Sequence, residues 1–171
     1  MRTHSAYGPT LFWKNTLDQS RPSIVPWPPI LFLGVCALAL LAARLYPLPW
    51  PGVDDTPARA IGYGFGVAGL ALMAWGFLTL RRAGTTVMPN ATAGKLVTDG
   101  PFYYRRNPIY MGEVLLFLGL AQLTGNIWFA IASPLFAVAI HHLAILPEER
   151  HLENRFGEAY LQYKEHTRRW F

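Results

Sequence analysis

Residues that could bind a polar ligand are concentrated between Thr98 and Glu113, in the stretch TDGPFYYRRNPIYMGE. Pro108 predicts the start of a helix, because proline fixes its own φ and pushes the preceding Asn107 out of the helical region. A helix that begins there leaves backbone N–H groups without partners beside Arg106. The stretch therefore fits either a site for a polar ligand or a basic, aromatic loop at a membrane border.

A second group of reactive side chains lies near the end of the last apolar run. Glu148 and Glu149 are followed directly by Arg150, and His141 and His142 lie seven residues before the two glutamates. Ionisable residues at membrane depth are costly and usually functional. Two adjacent carboxylates could bind an ammonium group or compensate a sulfonium. They could equally be a solvated helix start, where acidic residues suit the helix dipole.

Other kinds of site find no support in the sequence. We expect no metal site, because His141 and Glu148 are two helical turns apart and adjacent histidines point in different directions. The single cysteine, Cys36, excludes a disulfide framework. The chain also lacks a phosphate-binding loop, a dinucleotide fingerprint after a strand and a nucleophile elbow.

The composition indicates a membrane protein of one domain. Apolar residues make up 52% of the 171 residues and charged residues only 15%, and the apolar residues come in long blocks. A spanning helix needs roughly 20 mainly apolar residues. We therefore predict an all-α, polytopic membrane protein with about four transmembrane helices, at residues 30–46, 60–80, 108–123 and 127–146.

The remaining segments should lie outside the bilayer. Residues 1–29 read as a proline-rich cytoplasmic lead-in to a single domain that covers residues 30–171. A long polar cytoplasmic loop connects the second and third spans, and residues 147–166 have the pattern of an amphipathic cytoplasmic helix. In the second span, Gly62 and Gly66 are four apart, which favours close packing of another helix over exposure of backbone to a cofactor.

The distribution of positive charge predicts the orientation. Thirteen of the fifteen lysines and arginines fall in the two tails and the long loop, and only Arg44 and Arg59 fall on the other side. This bias places both termini in the cytoplasm. It also explains the net charge of +5 without nucleic acid, because the basic residues lie at helix ends.

The order of these motifs resembles a known family. The run LVTDGPFYYRRNPIYMGE, two apolar spans and the tail EERHLENRFGEAYLQYKEHTRRWF are similar to membrane methyltransferases related to isoprenylcysteine carboxyl methyltransferase and phospholipid methyltransferase. The resemblance covers residues 84–171. It implies that S-adenosyl-L-methionine binds between the long loop and the C-terminal helix. It also implies a lipophilic acceptor that enters from the bilayer.

The resemblance also assigns residues to the site. The family's Arg-His-Pro-x-Tyr-x-Gly motif falls on residues 106–112, with Asn107 in place of the histidine of the carboxyl methyltransferases, as in phospholipid methyltransferases. The family's glutamate pair falls on Glu148 and Glu149. The predicted cofactor-binding residues are Gly100, Tyr104, Arg106, Asn107, Pro108, Tyr110, Gly112, Glu148 and Glu149.

Methyl transfer from a sulfonium mainly requires that donor and acceptor are positioned. A carboxylate acceptor would need an arginine, for which Arg106 and Arg150 are candidates. An amine acceptor would need to lose a proton, to Glu148, Glu149 or His142. We therefore predict catalytic roles for Arg106, Arg150, Glu149 and His142.

Two alternatives to this function remain open from the sequence. The chain could be a membrane scaffold or accessory protein with the same framework and no catalysis. It could also be an NADPH-dependent enzyme like the sterol reductases, which share an Arg-x-x-x-Tyr-x-Gly element. For the methyltransferase, the expected partners are a lipophilic small-molecule substrate and membrane lipids, with no nucleic acid, and the sequence predicts no particular oligomeric state.

Overall fold

The computed structural model describes residues 27–51, 55–85 and 94–170. Regular secondary structure in these ranges is entirely helical, which confirms the all-α prediction. The helices are α1 (Trp27–Leu45), α2 (Thr56–Arg82), α3 (Pro101–Tyr104), α4 (Pro108–Thr124), α5 (Ile127–Ile140), α6 (Leu146–Phe156) and α7 (Glu158–His166). A π-helical turn, His141–Ile145, joins α5 to α6.

Three helical segments are long and apolar enough to cross a membrane, namely Pro28–Leu45, Thr56–Arg82 and Ile127–Phe156. The apolar helix α4 is shorter, with 17 residues. The described residues therefore contain three to four apolar helices that can span a membrane, which confirms the prediction of about four. Many large apolar side chains of α1 and α2, including Leu33 and Val67, point away from the protein, as expected for surfaces that face lipid.

The first helix begins earlier than the proline-rich sequence suggested. Helix α1 starts at Trp27, so Pro28 and Pro29 form part of its first turn rather than the end of a lead-in. Proline is tolerated there because the first N–H groups of a helix have no partner in the helix. The rest of the predicted lead-in, residues 1–26, lies outside the described residues.

The C-terminal part is divided differently from the prediction. Residues 127–156 run as one helical segment, and the predicted single helix over residues 147–166 is wrong, because it is broken at Gly157. Gly157 has φ +53° and its N–H donates to the carbonyl of Glu153 at 2.9 Å. Glycine adopts such a left-handed conformation without a steric penalty, so it ends α6 and redirects the chain into α7.

Close packing of α2 against α4 is built on small residues. A Cβ added to Gly69 would lie 2.6 Å from the carbonyl oxygen of Gly112, and a Cβ added to Gly66 would lie 3.3 Å from the Cα of Gly119. The predicted packing role of the glycines in the second span is confirmed. This contact holds the two helices antiparallel and fixes where α4 begins.

Aromatic side chains fill the space between α1, α4 and α5. The ring centroid of Phe117 lies 5.0 Å from those of Phe32 and Phe136, and Phe117 and Phe136 are fully buried. The hydroxyl of Ser133 donates to the carbonyl of Val114 at 2.9 Å and ties α5 to α4. The start of α4 and the far end of α5 therefore lie at the same end of the bundle.

We predict that Gly69→Ala destabilises the protein, because the added methyl group collides with the backbone of α4. The free energy of unfolding should fall by about 1–3 kcal/mol, as for other overpacked cores. Gly64→Ala is the matched control, since a Cβ at Gly64 meets nothing within 4 Å. The measurement is thermal unfolding in detergent, and equal midpoints for the two variants would contradict the packing role.

Candidate functional site

Arg106 lies at the centre of a cluster formed by segments distant in sequence. Its Nε donates to Oε1 of Glu149 at 3.2 Å, and its Nη1 donates to the carbonyl of Lys164 at 3.0 Å and to the carbonyl of Thr167. The side chain is only 9% exposed. One guanidinium group therefore joins the loop before α4 to α6, to α7 and to the chain that follows α7.

The residues after α7, Thr167–Trp170, fold back over this loop, and we call them the C-terminal strap. The N–H of Arg106 donates to the carbonyl of Arg168 at 3.0 Å. The Asn107 side-chain amide donates to the carbonyl of Arg169 at 3.3 Å. These two contacts to strap carbonyls hold the strap in register with the loop at residues 105–107.

Glu149 is shared by two arginines. Besides the bond from Arg106, Nε of Arg169 donates to Oε1 at 2.9 Å and Nη2 of Arg169 donates to Oε2 at 2.6 Å. The forked geometry is the strong bidentate form of a guanidinium–carboxylate contact. The hydrogen bond to Glu149 raises the pKa of Arg169 above its usual value. Glu149 is buried and has its charge compensated on both sides.

Glu148 points to a different partner. Its Oε2 accepts a hydrogen bond from the hydroxyl of Tyr110 at 3.0 Å. Consecutive residues on a helix are about 100° apart, so the two glutamates face different neighbours. The first turn of α6 is thus bonded to the first turn of α4 through Glu148 and to the strap through Glu149.

Two buried polar atoms near this cluster have no hydrogen-bond partner among the described residues. They are the hydroxyl of Tyr160, which is 1% exposed, and Oε2 of Glu113, which is 7% exposed. Burial raises the pKa of Tyr160, and the charge of Glu149 raises it further. Buried polar groups are nearly always paired in folded proteins. These atoms therefore fit a site that receives a polar ligand.

The hydroxyl of the neighbouring Tyr163, by contrast, has a partner. It donates to the carbonyl of Phe102 at 2.7 Å, and burial raises its pKa to about 12. The bond fastens α7 to helix α3. The two tyrosines therefore have different roles. Tyr163 bonds α7 to α3, whereas the hydroxyl of Tyr160 has no hydrogen-bond partner among the described residues.

Five of the predicted site residues come together in the structure. Arg106 contacts Glu149 and Tyr110 contacts Glu148, although 43 and 38 residues separate these partners. Asn107 joins the same cluster through its bond to the carbonyl of Arg169. Pro108 begins α4 as predicted and is fully buried.

The two glycines that were predicted to bind cofactor contact helix α2. A Cβ at Gly112 would lie 2.7 Å from the carbonyl oxygen of Gly69, and a Cβ at Gly100 would lie 2.7 Å from Oγ1 of Thr79. The ring of Tyr104 lies 6.4 Å from that of Trp75. These three predicted positions pack against α2, at the border of the cluster.

Two predicted catalytic residues lie at the surface. Arg150 and His142 are exposed. The His142 ring packs edge-on against that of His141 at 4.9 Å between ring centroids. Neither Arg150 nor His142 makes a described hydrogen bond or ion pair with Glu148 or Glu149. Adjacent positions on a helix diverge, so proximity in sequence to the glutamates did not bring these side chains into the cluster.

The strap and the two unpaired groups were missed by sequence reasoning. The sequence placed Arg169 only among the many basic residues predicted to face the cytoplasm, although its carbonyl and its side chain both contact the cluster. Trp170 donates from Nε1 to Nδ1 of His141 at 3.4 Å, which anchors the strap to the π-helical turn. No local pattern signals these contacts, because each joins residues at least 20 positions apart.

Comparisons with known proteins bear on the same region. A model of the phospholipid methyltransferase family matches residues 57–159. Over 69 residues the chain is 36% identical to the protein-S-isoprenylcysteine O-methyltransferase of Schizosaccharomyces pombe, which covers 40% of this chain and 29% of that protein. Over 62 residues it is 32% identical to an uncharacterized protein of Haemophilus influenzae, which covers 36% of this chain and 98% of that protein. No solved structure matches the chain.

We predict that Glu149→Gln strongly destabilises the fold. Removal of one partner from a buried ion pair leaves the other charge uncompensated, at a cost of about 3–5 kcal/mol. The matched control is Glu153→Gln, whose pair with Lys164 is 42% and 37% exposed, so the loss should stay below about 1 kcal/mol. Unfolding by SDS in mixed micelles measures both, and similar losses would contradict the anchoring role of Glu149.

Proposed function

Because this chain belongs to the phospholipid methyltransferase family, we propose that it is an integral-membrane methyltransferase that uses S-adenosyl-L-methionine. The observation that carries the proposal is the pair of contacts Arg106–Glu149 and Tyr110–Glu148. They join the start of α4 to the start of α6 in one polar cluster at one end of an apolar bundle. Such a cluster suits a polar donor, while the surrounding helices suit a lipophilic acceptor.

The residues of the cluster fit the donor chemically. When bound, S-adenosylmethionine supplies an activated methyl group on a sulfonium. Glu148 offers a carboxylate without a cationic partner among the described residues, which suits the positive charges of the donor. Tyr110 orients that carboxylate, and the unpaired Tyr160 hydroxyl offers a hydrogen bond. Burial of these groups also keeps water from competing for the methyl group.

The acceptor is proposed to be a lipophilic molecule that enters from the bilayer. The family is named for phospholipid and the S. pombe relative for isoprenylcysteine, and both of these substances carry a lipid group. The large exposed apolar side chains on α1 and α2 are consistent with membrane lipids as neighbours. The methylated group would be a carboxylate, an amine or a thiol.

The geometry narrows which residue would act on that group. An amine or thiol acceptor must lose a proton, but Glu149 is already bonded to two guanidinium groups and His142 is exposed. Because Glu148 is assigned to the positive charge of the donor, Glu113 remains. It lies one turn beyond Tyr110 on α4, and its Oε2 has no hydrogen-bond partner among the described residues. A carboxylate acceptor would require no base.

We expect wild-type protein to bind S-adenosylhomocysteine and to pass label from S-adenosylmethionine into a lipid extract. Isothermal titration in detergent and in nanodiscs measures the binding. Glu148→Gln should weaken binding by about tenfold or more, since hydrogen bonds to charged groups contribute about 1.5–3 kcal/mol. Glu153→Gln, in the exposed pair, should bind like wild type. Absence of binding in both media would overturn the proposed function.

We also propose that both termini lie in the cytoplasm, as the distribution of lysine and arginine predicts. In a Cys36→Ser background, an impermeant maleimide added to intact cells should label Leu48→Cys, in the loop after α1. It should label Glu165→Cys, on α7, only after the membrane is opened. Labelling of the α7 position in intact cells would show that the protein has the opposite orientation.

A further inference from the structure

The C-terminal strap, Thr167–Trp170, lies beyond the residues matched by the family model, which end at 159. It nevertheless contributes directly to the polar cluster. Arg169 has the most contacts of the strap with that cluster, because its carbonyl accepts from Asn107 and its guanidinium binds Glu149. The neighbouring Arg168 contributes its backbone carbonyl to Arg106, while its side chain is exposed.

The charges in the cluster are arranged in two separate parts. Two guanidinium groups, those of Arg106 and Arg169, share the single carboxylate of Glu149, so this part has an excess positive charge. The other part is Glu148, whose bond is to the neutral hydroxyl of Tyr110, so it has an excess negative charge. A ligand that matches both parts carries a positive and a negative group side by side.

Arg169 is the accessible member of the positive part. Its side chain is 30% exposed, against 9% for Arg106. The bonds to Glu149 use Nε and Nη2, and a guanidinium has five N–H donors, so the N–H groups of Nη1 remain for a further anion. An anion placed there would complete the charge balance of two arginines.

We infer that Arg169 binds the carboxylate of the methyl donor, while Glu148 binds the adjacent ammonium. The inference rests on the proposed function, because it assumes that the donor is S-adenosylmethionine. The amino-acid end of that molecule is a zwitterion, which matches a site with one positive and one negative part. Arg169 is thus a donor-binding residue supplied by the strap, and Glu149 holds it in position.

The test compares two ligands that differ only in the carboxylate. S-Adenosylhomocysteine has the whole amino-acid end, and S-adenosyl-3-thiopropylamine has the ammonium without the carboxylate. Isothermal titration of the full chain in nanodiscs gives the affinity for each. Arg169→Gln should weaken binding of S-adenosylhomocysteine by about tenfold or more and leave binding of the thiopropylamine nearly unchanged. The control Arg168→Gln should leave both affinities unchanged.

The ratio of the two affinities does not depend on how much of a sample is folded, so a partly unfolded variant still answers the question. Arg169→Lys retains the charge without the fork and should give an intermediate ratio. If Arg169→Gln weakens the binding of both ligands equally, or of neither, the inference is wrong although the proposed function stands. If wild type binds neither ligand, the proposed function itself is wrong, and the inference falls with it.

Discussion

The sharing of Glu149 by Arg106 and Arg169 is the interaction on which the polar end of this molecule depends. Three segments meet at this carboxylate, namely the loop before α4, the first turn of α6 and the C-terminal strap. Removal of a carboxylate from water costs several kcal/mol, and only close, well-oriented cations offset that cost. The bidentate contact of Arg169 and the single bond from Arg106 provide them. Loss of either arginine would leave part of the charge of Glu149 uncompensated.

This cluster is positioned by the apolar packing of α4 against α2 and α5. Glycines let α2 and α4 approach until backbone atoms touch, and within a membrane such close contact replaces the hydrophobic effect as the source of helix association. The aromatic core around Phe117 holds α5 against α4 in the same way. Since α4 begins directly at the cluster, a shift of α4 along α2 would separate Tyr110 from Glu148.

The polar cluster and the apolar bundle together suit the proposed methyl transfer to a lipophilic acceptor. Polar groups are concentrated where four helices begin or end, and the helix surfaces beyond them are apolar. The proposed charged donor and the proposed lipophilic acceptor have opposite solvation requirements, and a site at this boundary would meet both. Among the described residues, the Tyr160 hydroxyl and Oε2 of Glu113 are buried near this cluster without hydrogen-bond partners.

Composition and local backbone chemistry by themselves determined the helical membrane class and the start of α4 at Pro108, and they indicated two groups of candidate site residues. Length and apolarity specify a span, and proline restricts its own backbone, so neither depends on distant contacts. Only the tertiary structure decided three other features. These are the break at Gly157, the packing of Gly100 and Gly112 against α2, and the position of His142 and Arg150 outside the polar cluster. The contacts of the strap were also decided by the tertiary structure. Arg169 binds a carboxylate 20 residues away and a loop residue 62 positions away, and such pairings depend on how the helices pack rather than on local sequence.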